Sequence, residues 1–169
     1  MKLSTLMTGY TPNPDFEGFV TNDDMVLAVD LSERKNAAVA DYVVVEGGIT
    51  GLDSSMNPVT QDKQYIRAGQ STTKTGTQRA FSISGDRLCG DDFQDGVLTH
   101  RFKYGVGEAV NVPYVYFNLL NGKGERGTAA VIINSDGSGN AGDNAGVSID
   151  LKKCGKMPEE YTYSDVILS

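Results

Sequence analysis

A chain of 169 residues has room for one domain, and at this size a compact fold removes roughly 70% of the unfolded surface from water, so it builds a core without staples. Its 22 acidic against 15 basic residues give a net charge of -7, which argues against a sequence-reading nucleic-acid binder, because such a protein needs a basic patch. The two cysteines, Cys89 and Cys154, lack metal-ligand spacing and read as free thiols rather than a disulfide, and clearly apolar runs such as "YVVV" are far too short to span a membrane.

In chain order, residues 1–31 mix short apolar patches with turn residues such as "TPNPD" and "TNDD". The opening "MKLSTLMTGY" has no apolar run long enough for a signal sequence, so the chain is expected in the cytoplasm at synthesis. "MVLAVDL" (25–31) is a strand candidate, and Ser32 is placed to cap a short helix after it. "DYVVVEGGITGLD" (41–53) reads as a strand interrupted at Gly47 and Gly48, as at a bulge. Residues 54–76 are polar and lack apolar periodicity. They read as a long extended loop, and such loops are uncommon inside compact domains unless functional. At its centre "YIR" is apolar enough to dock on something.

"TQRAFSISGD" (77–86) alternates, with Phe81 and Ile83 on one face and Ala80, Ser82 and Ser84 on the other. "DDFQDGVLTHRFKYG" (91–105) is the best helix candidate. Asp91 or Gly90 caps it, acids crowd its first turn, and Arg101 and Lys103 lie near its end. On one helix, Phe93, Val97 and Arg101 share a face. "VPYVYFNLL" (112–120), "TAAVIIN" (128–134) and "VSIDLKK" (147–153) are strands, and "MPEEYTYSDVILS" is a polar tail.

Several patterns invite a chemical reading. Gly122, Gly124 and Gly127 have the G-x-G-x-x-G spacing of a dinucleotide loop, but that mechanism requires a helix afterwards, and "TAAVIIN" is another strand. The glycines therefore predict a hairpin connection. An EF-hand register from Asn134 places Asp136 and Ser138 at ligand positions and Gly139 at the turn, yet Ala145 falls where a bidentate Glu is required. The only histidine, His100, has no nucleophile elbow to serve, since "SISG" lacks the first glycine. The expectation is no enzyme, no cofactor and no metal.

Three stretches in their order, "YVVVEGGITGLDSSMNP", "KTGTQRAFSISGDRLCGDDFQDGVL" and "YVYFNLLNGKGERGTAAVIINSDGSGNAGDNAGVSIDL", resemble the major tail proteins, or tail tube proteins, of long-tailed phages and prophages. The likeness covers roughly residues 41–163, and residues 1–40 match less clearly. It implies a mainly β fold, a β-sandwich or small barrel flanked by one α-helix, with residues 1–169 as a single domain. It also implies hexameric rings stacked into a tube that conducts DNA into the host, an architecture shared with the inner tubes of contractile tails and of type VI secretion. The implied partners are further copies of the chain, a tape measure protein, tail terminator and baseplate or distal tail proteins, and DNA in transit only. The implied location is the virion tail, after assembly in the host cytoplasm.

On that reading the 54–76 loop is an arm that reaches a neighbouring ring, with Met56, Asn57, Pro58, Tyr65, Ile66 and Arg67 as its contact residues. The polar strand faces line the lumen through Glu46, Thr50, Ser82, Ser84, Ser148 and Asp150. An acidic or neutral wall lets DNA pass without the counterion release that would bind it, so Arg79 and Lys152 are expected to turn away, pair with an acid or be outnumbered. The alternative is a monomeric β-sandwich binding or decoration module of a virion.

Overall fold

The computed structural model describes residues 1–163. It is mainly β. Seven strands form one curled antiparallel sheet, a half-barrel: β1 (Met25–Val29), β2 (Val43–Val44), β3 (Ile49–Ser55), β6 (Ala80–Asp86), β7 (Asn111–Asn118), β8 (Lys123–Ser135) and β9 (Gly146–Thr162), in the order β2-β1-β7-β8-β9-β6-β3. Among the described residues the other two, β4 (Pro58–Tyr65) and β5 (Gly69–Thr77), pair only with each other.

The sheet carries two cores. Inside the curl, Phe81, Ile83, Val112, Tyr114, Tyr116, Val131, Ile149 and Leu151 pack with Phe93, Val97 and Phe102 from the helical segment. On the other face, at the β1–β7 end, Val26, Ala28, Val115 and Phe117 are covered by Leu3 and Met7, from the short helix α1 (Leu3–Leu6) and its C-terminal end, and by Tyr42, Tyr161 and Tyr163. Strand β7 is thus buried on both sides, which is why "VPYVYF" is an unbroken apolar run rather than an alternation. Strand β6 is covered on one face only and alternates.

The 91–105 segment is two helices, α2 (Asp92–Val97) and α3 (His100–Tyr104), instead of one. Asp91 does cap the first, its carboxylate accepting from the Gln94 amide at 3.0 Å. The break at Leu98–Thr99 has a packing cause. A continuous helix would stack Arg101 under Phe93 and Val97. The break instead buries Phe102 and leaves Arg101 lying over that ring, 4.6 Å from its centroid. His100 consequently starts α3 rather than ending a longer helix, and its ring packs tilted against Tyr104, with centroids 4.7 Å apart.

Other boundaries also differ from the expectation. No α-helix follows Ser32; a 3-10 turn at Val39–Asp41 leads into β2. The 41–53 stretch is two strands, and Gly48, with φ +71°, sits in the turn between them. The first part of the supposed polar tail, 157–162, belongs to β9, whose last residues pair with the start of β8; residues 164–169 lie outside the described residues. The glycine-rich stretch is the β7–β8 hairpin. Gly122, at φ +74°, makes the turn. Gly124 lies within β8, where a Cβ would meet the Tyr116 carbonyl oxygen and the Phe117 Cα at 2.0 and 2.4 Å. The chain continues from the glycines as strand β8, as the hairpin reading requires. Asp136, the would-be cation ligand, pairs with Lys103 at 2.7 Å, which holds its carboxyl below the usual range.

Candidate assembly surfaces

Three surfaces stand out, and the first is the β4–β5 hairpin. The expected loop is ordered as two strands in register from Pro58↔Thr77 to Tyr65↔Gly69. No residue of either strand is buried. β5 consists largely of Ser, Thr and Gln, which suit an extended backbone while offering no apolar face. Its tip is Ile66-Arg67-Ala68, with Arg67 at φ +66° and Gly69 at φ +72°. Ile66 is 88% exposed and Tyr65 50%. At the base, the Gln78 amide donates to the Asn57 carbonyl at 3.4 Å, and Asn57 Nδ2 donates to the Gln78 carbonyl at 3.2 Å. The two ends of the arm therefore touch. Met56, at the same base, receives Arg79 Nη1 on its sulfur at 2.9 Å. Of the six proposed arm residues, Tyr65, Ile66 and Arg67 form the tip and its approach, Pro58 opens β4, and Met56 and Asn57 form the root. An isolated two-stranded hairpin is at best marginally stable in water, so an arm of this length gains from a partner surface.

The second surface is the outer face of β3, β6, β9 and β8. Ser82 lies between Asp53 on β3 and Asp150 on β9, and Ser84 between Gly51 and Ser148. Ile132 flanks Asp150 on β8. Four of the six residues assigned to the lumen are thus brought together on one small-residue face. Lys152, two residues beyond Asp150, shares that face, so its charged strip holds Asp53, Asp150 and Lys152. Arg79 leaves it altogether. Its guanidinium lies over the Phe81 and Tyr116 rings at 4.8 and 5.1 Å and its Nε is 2.6 Å from Glu125. The approach is short but off the line of a hydrogen bond, so the contact is an ion pair in a largely apolar cage.

The third surface was not legible in the sequence. The curled sheet does not close on itself. Across the seam, Asn22 Nδ2 donates to the Leu52 carbonyl at 3.1 Å, and the Ser54 and Tyr116 hydroxyls meet at 3.2 Å. Between Asn22 and Leu52 a groove of about 200 Å³ remains, lined by Met25, Val45, Ile49 and Leu52 with Asp23 and Glu46. Thr50 lines it too and donates to the Ser84 carbonyl at 3.3 Å. Glu46 and Thr50 thus line this groove rather than the β6–β9 face that carries the other four proposed lumen residues, with Thr50 bonded to the main chain of one of them, Ser84. Partial burial raises the Glu46 carboxyl above its ordinary value; the N-terminal ammonium offsets part of this, and Asp91 and Asp92 add to it. Finding this groove from sequence would have required knowing that residues 22–25 and 45–52 meet.

No family model matches the chain, and no curated protein does. Among solved structures, it is similar to a chain from the tail of an empty gene transfer agent particle, described with C6 symmetry, with a TM-score of 0.57 and 15% identity over 86% of this chain and 100% of that one. It is also similar to a chain in the virion of a native gene transfer agent particle, with a TM-score of 0.55 and 13% identity, again over 86% of this chain and 100% of that one. At these identities the likeness is one of fold, and the mainly β half-barrel is a fold this chain shares with tail and virion proteins of phage-like particles.

Proposed function

We propose that this chain is a structural subunit of a phage-type tail tube, assembling into hexameric rings that stack around a passage for DNA. The observation that carries the reading is the fold shared, along the whole of that chain, with a protein of a tail of C6 symmetry. The monomer's own surfaces support it: an ordered hairpin that buries nothing of itself and a sheet face of small polar residues. In this reading Ser82, Ser84, Ser148 and Asp150 face the lumen, where mixed but not net-positive charge avoids the counterion-release trap that holds DNA. The 58–77 hairpin bridges successive rings. Tape measure, terminator and baseplate proteins are the partners at the tube's axis and ends, and the assembled location is the virion tail.

Negative-stain microscopy of the purified protein, dilute and concentrated, tests this. Rings or hollow tubes are expected. Discrete monomers at every concentration would overturn it and favour the decoration-module reading. A structure of the assembled tube tests the lumen assignment, which a net-positive inner wall or a wall built from other segments would refute.

A further inference from the structure

The hairpin and the body of this chain carry opposite charge. Residues 56–77 hold Lys63, Arg67 and Lys74 against Asp62 alone, a net +2, which leaves -9 on the remainder of a chain whose total is -7. Among the described residues none of those three cations makes an ion pair, and Asp62 is occupied by the Thr72 hydroxyl at 2.6 Å. At the tip, apolar Ile66 stands beside Arg67. A surface that receives this tip needs an apolar floor and an acidic lip. The seam groove has both: Met25, Val45, Ile49 and Leu52 below, Asp23 and Glu46 at the rim.

The other hollows suit the tip less well. One at the arm's own root is lined by Met56, Lys74, Lys153 and the Arg79–Glu125 pair, so its two lysines, unmatched among the described residues, repel a basic tip. Another holds Glu125, Glu159 and Glu160, but the first two are already paired, with Arg79 and Arg126. A third presents Arg126 and Lys156. The seam groove contains no cation in its lining.

Polarity points the same way. The groove is built at the first residues of β3, Ile49 to Leu52, and the arm departs just after its last, Ser55. A seven-residue strand separates its ends by roughly 20 Å. The groove takes in the first half of β3 and the arm leaves from its last residue, so the two are different patches of one copy, the arrangement of a head-to-tail contact, in which each added copy leaves one arm and one groove unfilled and growth continues.

We infer that the seam groove is the receptor for the hairpin tip of a second copy of this chain, with Ile66 seated on Ile49 and Leu52 and Arg67 facing Glu46 and Asp23. The inference rests on the tail-tube reading and adds to it the site at which successive copies lock.

Two experiments test it. In a background with Cys89→Ser and Cys154→Ser, an Ile66→Cys protein is mixed with a Thr50→Cys protein under oxidation. A disulfide-linked heterodimer is expected, strongly favoured over Ile66→Cys mixed with a Cys variant at Asp143, a residue in the exposed 135–146 loop. In parallel, Arg67→Glu and Glu46→Lys should each suppress assembly, and the two together should restore it, since the charges are then exchanged rather than lost. Raising salt should weaken wild-type assembly, as screening shortens the reach of these charges to about 3 Å at 1 M. If wild-type tubes form but the 66–50 link does not exceed the Asp143 control, or the double variant assembles no better than either single one, the docking site is wrong while the tail reading stands. If the wild type assembles at no concentration and the 66–50 link does not form, both are wrong.

Discussion

The molecule contains two neighbouring antiparallel pairs with opposite fates. Strands β6 and β9 bury Phe81, Ile83, Ile149 and Leu151 on one face and leave Ser82, Ser84, Ser148 and Asp150 outside. Strands β4 and β5 pair along their whole length, with one register shift between Val59 and Thr60, yet bury nothing. The backbone geometry is the same; only the first pair has a neighbour to exclude water from. The difference teaches that strand formation in this chain is decided by what lies on the face, and that a strand without a face announces a missing partner.

The strongest way to sharpen the contrast is to truncate one side chain in each pair. Phe81→Ala removes a fully buried ring that contacts Tyr114 and Tyr116, and should cost about 3–5 kcal/mol in urea unfolding. Ile66→Ala should stay within about 0.5 kcal/mol, as exposed sites do, while impairing assembly. Equal costs would break the comparison.

A second test uses glycine. Gly124→Ala drives a methyl into the β7 backbone, so a loss at or above the roughly 1–3 kcal/mol of overpacking is expected. Gly69→Ala meets no atom within 4 Å, and its positive φ strains the tip of the arm alone, so the domain's unfolding should lose no more than about 1 kcal/mol. Thermal unfolding of the two variants should separate them in that order.

Excising the arm should matter less still to the fold. Because Asn57 and Gln78 already touch, replacing 58–77 by two glycines should change the unfolding free energy by about 1 kcal/mol or less, and abolish tubes. Removing only 57–67 is a poorer cut, since it strands β5 without its pairing partner. Tubes of normal length from the excised protein would sink the bridging role.

The smallest effect is electrostatic. The Glu46 carboxyl is raised in the fold, so the folded state binds its proton more tightly than the unfolded state does. Stability from this group is full below the unfolded value and falls as pH rises through the raised one. Glu46→Gln should therefore match the wild type near pH 4 and exceed it at pH 7, by less than about 1 kcal/mol for a partly exposed group. A gap that shrinks with rising pH would contradict the sign.

Where the sequence was readable, a face was half buried. Strand β6 could be read residue by residue, and Asp91 was recognisable as a cap, because those signals are local. The β4–β5 hairpin looked like a loop because alternation records burial, and there is none to record. The division of 91–105 could not be read because it depends on Phe102 reaching the core in place of Arg101, a tertiary choice. The C-terminal half of β9 was hidden by "KMPEE", where residues 155–158 bulge out opposite Gly127 before pairing resumes at Glu159. The resemblance to tail proteins anticipated the mainly β architecture. It could not locate the seam groove, whose walls come from segments twenty or more residues apart.

The contact between Asn57 and Gln78 has one more consequence. A segment whose two ends already meet is a graft on the domain, and the domain does not register its length. Doubling such an excursion costs only about 0.6 kcal/mol of closure entropy. The arm is therefore free to lengthen, shorten or carry foreign residues at its tip without renegotiating the core, so the spacing between joined copies and the stability of each copy can be altered independently.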